Sequence, residues 1–215
     1  MPITVVPLSL STSYATATGV ALAQTATGAV NLTLAGSLVT AGVATFDAAR
    51  RVIMTSGGND AGITFTIYGT DRQGFSQTEV VTGANAGAAQ STKDFKTVTR
   101  VATSAATASQ VTVGTNAVGS SGWVPFDVFS HGREVELQVK TSGSPNYTVE
   151  LTDDDIWDAT ASRVITTFSA TATALVAATS TARGAEPRVA QAVRVTQNSG
   201  SGTSTLTVIQ QGGYL

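Results

Sequence analysis

The stretch Ile63-Thr64-Phe65-Thr66-Ile67-Tyr68 decides the fold class. Ile63, Phe65 and Ile67 alternate with Thr64, Thr66 and Tyr68, and a period of two is the pattern of a half-buried strand, whose successive side chains leave opposite faces of the pleated backbone. The same alternation returns in Val135-Glu136-Leu137-Gln138-Val139-Lys140 and in Tyr147-Thr148-Val149-Glu150-Leu151-Thr152. Shorter versions are Val193-Arg194-Val195-Thr196 and Leu206-Thr207-Val208. Between them lie clusters rich in Gly, Asn, Asp and Ser: Ser56-Gly57-Gly58-Asn59-Asp60, Asp71-Arg72-Gln73-Gly74, Ser142-Gly143-Ser144-Pro145-Asn146 and Asn198-Ser199-Gly200-Ser201-Gly202. Gly supplies positive φ, and Asn and Asp bond their own backbone, so each cluster predicts a turn. Short strands at this spacing predict an all-β chain built as sandwiches or barrels.

Composition agrees. Thr makes up roughly one residue in six, and β-branched side chains suit a pleated surface better than a helix. Hydrophobic residues are 42% of the 215 and charged residues only 12%. That places the chain among globular proteins, because disorder by composition needs low hydrophobicity together with high net charge. Twelve Lys and Arg against fourteen Asp and Glu give a net charge of −2. Such a balance offers no basic field for nucleic acid or an anionic membrane. With no Cys there is no disulfide framework and no thiolate chemistry, and a single His excludes a multi-His metal site. Met1-Pro2-Ile3-Thr4 lacks the cationic region of a standard secretory leader, and Thr, Ser and Gly interrupt every apolar run before it could span a bilayer as a helix. The outer strand faces are expected to carry Thr and Ser in place of Lys and Glu. Such faces are wet but nearly uncharged, and they lie against another protein without a large desolvation cost.

The chain also matches itself. Arg51 to Gly57 followed by Ile63 to Asp71 parallels Glu136 to Gly143 followed by Tyr147 to Asp153. Val98 to Ser104 followed by Val111 to Gly114 parallels Ala192 to Asn198 followed by Leu206 to Val208. These matches suggest two tandem β-sandwich or barrel-like domains related by an internal duplication. The domain plan is an N-terminal strand and arm over residues 1–28, a first β domain at 29–115, a linker at 116–122 and a second β domain at 123–215. The linker assignment rests on the small-residue run Gly114 to Gly122. Residues 11–28, a Ser/Thr/Ala/Gly tract with little periodicity, are expected to form an irregular arm that orders against a neighbour, so deleting them should spare the fold. The first domain is also a place where a strand could be exchanged with another subunit.

Few residues point to chemistry. Asp153-Asp154-Asp155, with Asp158 close by, is the carboxylate cluster. Calcium takes several oxygen ligands, but the spacing lacks the pattern of an EF-hand loop, and a solvated turn is the simpler reading. His131, in Phe129-Ser130-His131-Gly132-Arg133, lies in a turn with no nucleophile elbow in the chain to serve it. Arg50 and Arg51 fit either an anion contact or charges that guard a strand edge. Lys93, Lys96 and Arg100 interleave with Phe95 and Val98, too few cations for a nucleic-acid face in a near-neutral domain. Trp123 and Trp157 are expected to fill a core or an interface, with a sugar-stacking platform as the other use. No Gly-rich phosphate loop is present. Accordingly no catalytic, cofactor-binding or metal residue is assigned, and no cofactor and no enzymatic activity are expected.

Several of these segments resemble a family of tailed-bacteriophage virion proteins. The likeness is carried by Arg51 to Ser56, Gly62 to Gly74, Gln77 to Gly83, Asp94 to Thr99, Ala192 to Val195 and Leu206 to Gly212. It covers most of residues 29–215 and consists of strand and turn patterns, not catalytic signatures. The resemblance implies a structural component of the virion, present in many copies and without catalytic residues. The first expectation is a capsid decoration (cement) protein, with the major capsid protein and copies of itself as partners. The alternatives are a tail, collar or fibre-base protein and, from another class, a carbohydrate-binding sandwich.

Overall fold

The structure is a computed structural model that describes residues 3–127 and 135–210. Every paired strand is antiparallel and no α-helix occurs among the described residues. In chain order the strands are β1 (Ile3–Leu10), β2 (Ala21–Gln24), β3 (Val39–Thr40), β4 (Val43–Asn59) and β5 (Thr64–Thr70). Then come β6 (Ser76–Thr82), β7 (Asn85–Thr103), β8 (Val111–Ser120) and β9 (Val124–Pro125). The last four are β10 (Val135–Thr152), β11 (Phe168–Ser169), β12 (Ala182–Glu186) and β13 (Ala192–Gln210). The chain divides into two compact units. A terminal unit holds Met1–Leu10, Ala117–Asp158 and Val164–Leu215, and an inserted unit holds Ser11–Asn116 and Ala159–Arg163.

The inserted unit pairs its long strands in the order β4, β7, β5, β6, with β3 on β4 and β2 on the start of β8. Alternation works as the sequence predicts: Phe65 and Ile67 are buried on the face of β5 opposite Thr64, Thr66 and Tyr68. They join Phe46, Val52, Phe95, Val98, Val101, Val111 and Val113 in one core. Gly69 permits a close approach, because a Cβ there would meet the Thr97 carbonyl oxygen at 1.9 Å.

Residues 11–28 correct an expectation. The tract is mostly irregular, with one 3-10 turn at Thr12–Tyr14 and the short β2, yet it is packed rather than free. Val20, Ala21 and Ala26 are buried in the core, and the Val20 N–H donates to the Val113 carbonyl at 2.9 Å. Small residues fill a tight space here, so burial leaves no periodic signature. Deleting the tract would open the core, contrary to the sequence expectation.

In the terminal unit β13 is the central strand. β10 pairs along one side of it from Ala192 to Gln210, and β1, β8 and β9 share the other side. β12 and β11 pair with the far edge of β10. Three predicted turns prove to be strand, and in the first of them Ser56 to Asn59 forms the end of β4. Ser142 to Asn146 lies inside β10 and Asn198 to Gly202 inside β13, and the two segments face each other, with Gly143 opposite Gly202 and Pro145 opposite Gly200. Gly143, Gly200 and Gly202 all have positive φ, and the register shifts beside them between Asn146 and Tyr147. The glycines therefore bend a continuous ladder where they were expected to reverse the chain.

The duplication loses its basis for the same reason. Residues 51–71 form the end of β4, a turn and β5, whereas 136–152 form one strand. Likewise 98–114 spans two strands, while 192–208 is one. Nor is the 116–122 stretch a bare linker, since β8 runs through it to Ser120, where Ser120 and Gly119 pair with Thr196 and Gln197.

Candidate interaction face

The outer face of the terminal unit follows from register. Four strands lie side by side, β1, β13, β10 and β12. Ile3, Ile209, Glu136 and Ala185 form one row across them, and Val5, Thr207, Gln138 and Arg183 form the next. Pro7, Thr205 and Lys140 follow, then Ser9, Thr203 and Ser142. Intervening residues Leu206, Val208, Leu137 and Val139 turn to the other side and are buried, so the face is fixed by the period-two pattern of each strand.

This surface is broad and polar but carries little charge. Glu136 and Arg183 stand 4.0 Å apart and are both well exposed, a pair of little energetic value in water. With Gln138, Gly184 and Ile209 they bound a shallow depression. At the β1 edge Ile3 and Val5 are 59% and 57% exposed. The face presents hydroxyls and one amide for hydrogen bonding, and an apolar edge whose burial would be favourable.

Other candidates are occupied by the fold. Arg50 is fully buried; its Nε and Nη2 reach the two Asp47 carboxylate oxygens at 2.6 and 2.8 Å, and its remaining donors reach the carbonyls of Asn116 and Ser11. Ser11 and Asn116 are where the chain enters and leaves the long segment of the inserted unit, so this one guanidinium ties both ends. Although burial pushes the Asp47 carboxyl up, the Arg50 bond, together with the Ser11 and Ala48 N–H groups, holds it below its usual value of 3.8. Arg51 pairs with Asp94 at 2.7 Å. Lys93 donates to the Thr78 carbonyl, Lys96 to the carbonyls of Phe46 and Asp47, and Arg100 lies 3.6 Å from the Tyr68 ring centre. Burial lowers both lysine ammonium groups.

The aspartates close a turn. Asp154 accepts the Thr166 N–H at 2.6 Å and Asp155 the Trp157 N–H at 2.8 Å. No group of three or more acidic or His side chains placed to hold a metal occurs among the described residues. Trp157 is 56% exposed, while Trp123 is half-buried under the Arg194 guanidinium, 4.6 Å from its ring centre. His131 lies outside the described residues. Sequence reasoning missed the exposed β1 edge, although Ile3-Thr4-Val5-Val6-Pro7-Leu8-Ser9-Leu10 contains no charge and that signal was available.

No family model, curated protein or solved structure matches the chain.

Proposed function

We propose that this chain is a virion structural protein, and specifically a capsid decoration protein that binds the outer head shell and bridges coat subunits. The observation that carries the reading is the outer face of the terminal unit: four strands wide, rich in Thr and Ser, and apolar along one margin. A surface of this kind binds through many modest contacts, and a symmetric lattice multiplies them into tight attachment. The phage resemblance of the strand segments supports the same reading. Cryo-EM of intact particles tests it, with density for the chain expected over the head shell; density confined to the tail, or none in the particle, overturns it.

One observation favours a second reading. The exposed Trp157 indole is the kind of platform on which a sugar ring stacks. Glycan-array binding that disappears in Trp157→Ala would support carbohydrate recognition on this indole, and no binding by the native chain, or binding that survives Trp→Ala at both 123 and 157, would dismiss that platform.

A further inference from the structure

The hydrogen-bonding direction of β1 follows from its neighbours. The Thr141 N–H donates to Thr181 Oγ1 at 3.1 Å, away from β13, so the odd residues of β10 in this stretch turn their backbone groups toward β12. The even residues Glu136, Gln138 and Lys140 therefore bond β13 through its odd residues 205, 207 and 209. By the same alternation Ser204, Leu206 and Val208 bond Leu8, Val6 and Thr4 of β1. What remains is Ile3, Val5, Pro7 and Ser9, whose backbone groups point away from the sheet. Pro7 fits, since the position without an N–H lies on the side where none is needed.

Along this outward edge no backbone bond is made among the described residues. Soluble proteins guard such edges with charges, bulges or coverings. β1 has no charged residue, and it exposes the large apolar side chains of Ile3 and Val5. We propose that the open edge of β1 pairs antiparallel with β1 of a second copy of this chain. The strand is complementary to itself about Val5. Val5 faces the second copy's Val5 and exchanges both N–H···O bonds with it. Each Ile3 N–H donates to the other copy's Pro7 carbonyl, and the missing Pro7 N–H costs one bond per side. Two four-stranded faces then become one eight-stranded face, with Ile3 and Val5 of both copies covered at its middle.

So short a seam buries far less than the roughly 1,600 Å² of a standard stable complex, so in solution the pairing is weaker than ~1 µM and gains strength where a lattice holds copies together. The inference goes beyond the virion assignment and is tested on the purified chain, so either can fail without the other. Sedimentation velocity across a concentration series is expected to show reversible dimerisation. Val5→Pro removes only an outward N–H, and Val5→Lys places a charge on the seam. Both are expected to stay folded by circular dichroism and to remain monomeric. The chain has no native thiol, and Cα atoms of a directly hydrogen-bonded antiparallel pair lie about 5.5 Å apart, within disulfide reach. Under diamide, Val5→Cys is therefore expected to cross-link at least ~10-fold faster than Val189→Cys, an equally exposed control, because the complex raises the local thiol concentration. A wild-type chain monomeric up to its solubility limit, a Val5→Cys rate no higher than the control, or association unchanged in both Val5→Pro and Val5→Lys would overturn the proposal.

Discussion

Glu186 ends β12 with its side chain wholly buried. Burial alone would push its carboxyl up, but Arg188, the Thr171 N–H and the Thr171 hydroxyl all donate to it and hold it below the usual 4.5. A carboxyl depressed in the folded state stabilises the fold above its unfolded value, and that stability drains away as pH falls through the folded value. The chain is therefore expected to lose urea resistance on acidification below about pH 4.5, with part of the slope absent in Glu186→Gln. At neutral pH that variant should cost about 1–3 kcal/mol, since an amide NH₂ would face donors it cannot accept from. Urea midpoints measured from neutral pH into acid, for both chains, check the sign and the size. Neither the Glu186 cradle nor the Arg50 clasp was legible in the sequence. Thr171 donates to Glu186, and the carbonyls of Ser11 and Asn116 accept from Arg50, at separations up to 66 residues; these bonds use backbone atoms, which carry no residue signal.

At the scale of elements, period-two patterns were read correctly wherever one face is buried, as in β5. The turn after it was read correctly too: Asp71 accepts the Phe75 N–H and Gly74 has φ +91°. Gly and Ser clusters in β10 and β13 misled because a bend in a long ladder asks for the same residues as a chain reversal. Stability should tell the two uses apart. A Cβ on Gly202, at φ +120°, would sit 2.1 Å from the Ser142 carbonyl oxygen across the ladder. Gly202→Ala is expected to destabilise the chain by at least ~2 kcal/mol, lowering the melting temperature by roughly 4–8 °C. Gly87→Ala, where the nearest non-neighbouring atom is 3.9 Å away, should leave it nearly unchanged. Differential scanning calorimetry of the two variants makes the comparison.

For the whole molecule, the decisive quantity is how little charge the surface carries. A net charge of −2 spread over 215 residues gives no long-range field. If many short-range contacts on the Thr-rich face hold it to its partner, attachment to particles stripped of this chain should weaken less than ~3-fold between about 50 and 500 mM NaCl. A binding assay across that salt range decides it, since a basic or acidic docking patch would lose affinity by orders of magnitude. The all-β class was legible from alternation and Thr content. The division into units was not, because the first strand pairs with the last, and adjacency in sequence gives no hint of that.

The pairing of β1 with β13 sets Ile3 directly across from Ile209. On the ribosome β1 therefore emerges well before β13, and it waits for roughly 180 further residues to be synthesised before this partner arrives. Premature termination upstream of β13 would leave that uncharged strand with both flanks bare, a sticky product suited to quality-control proteases.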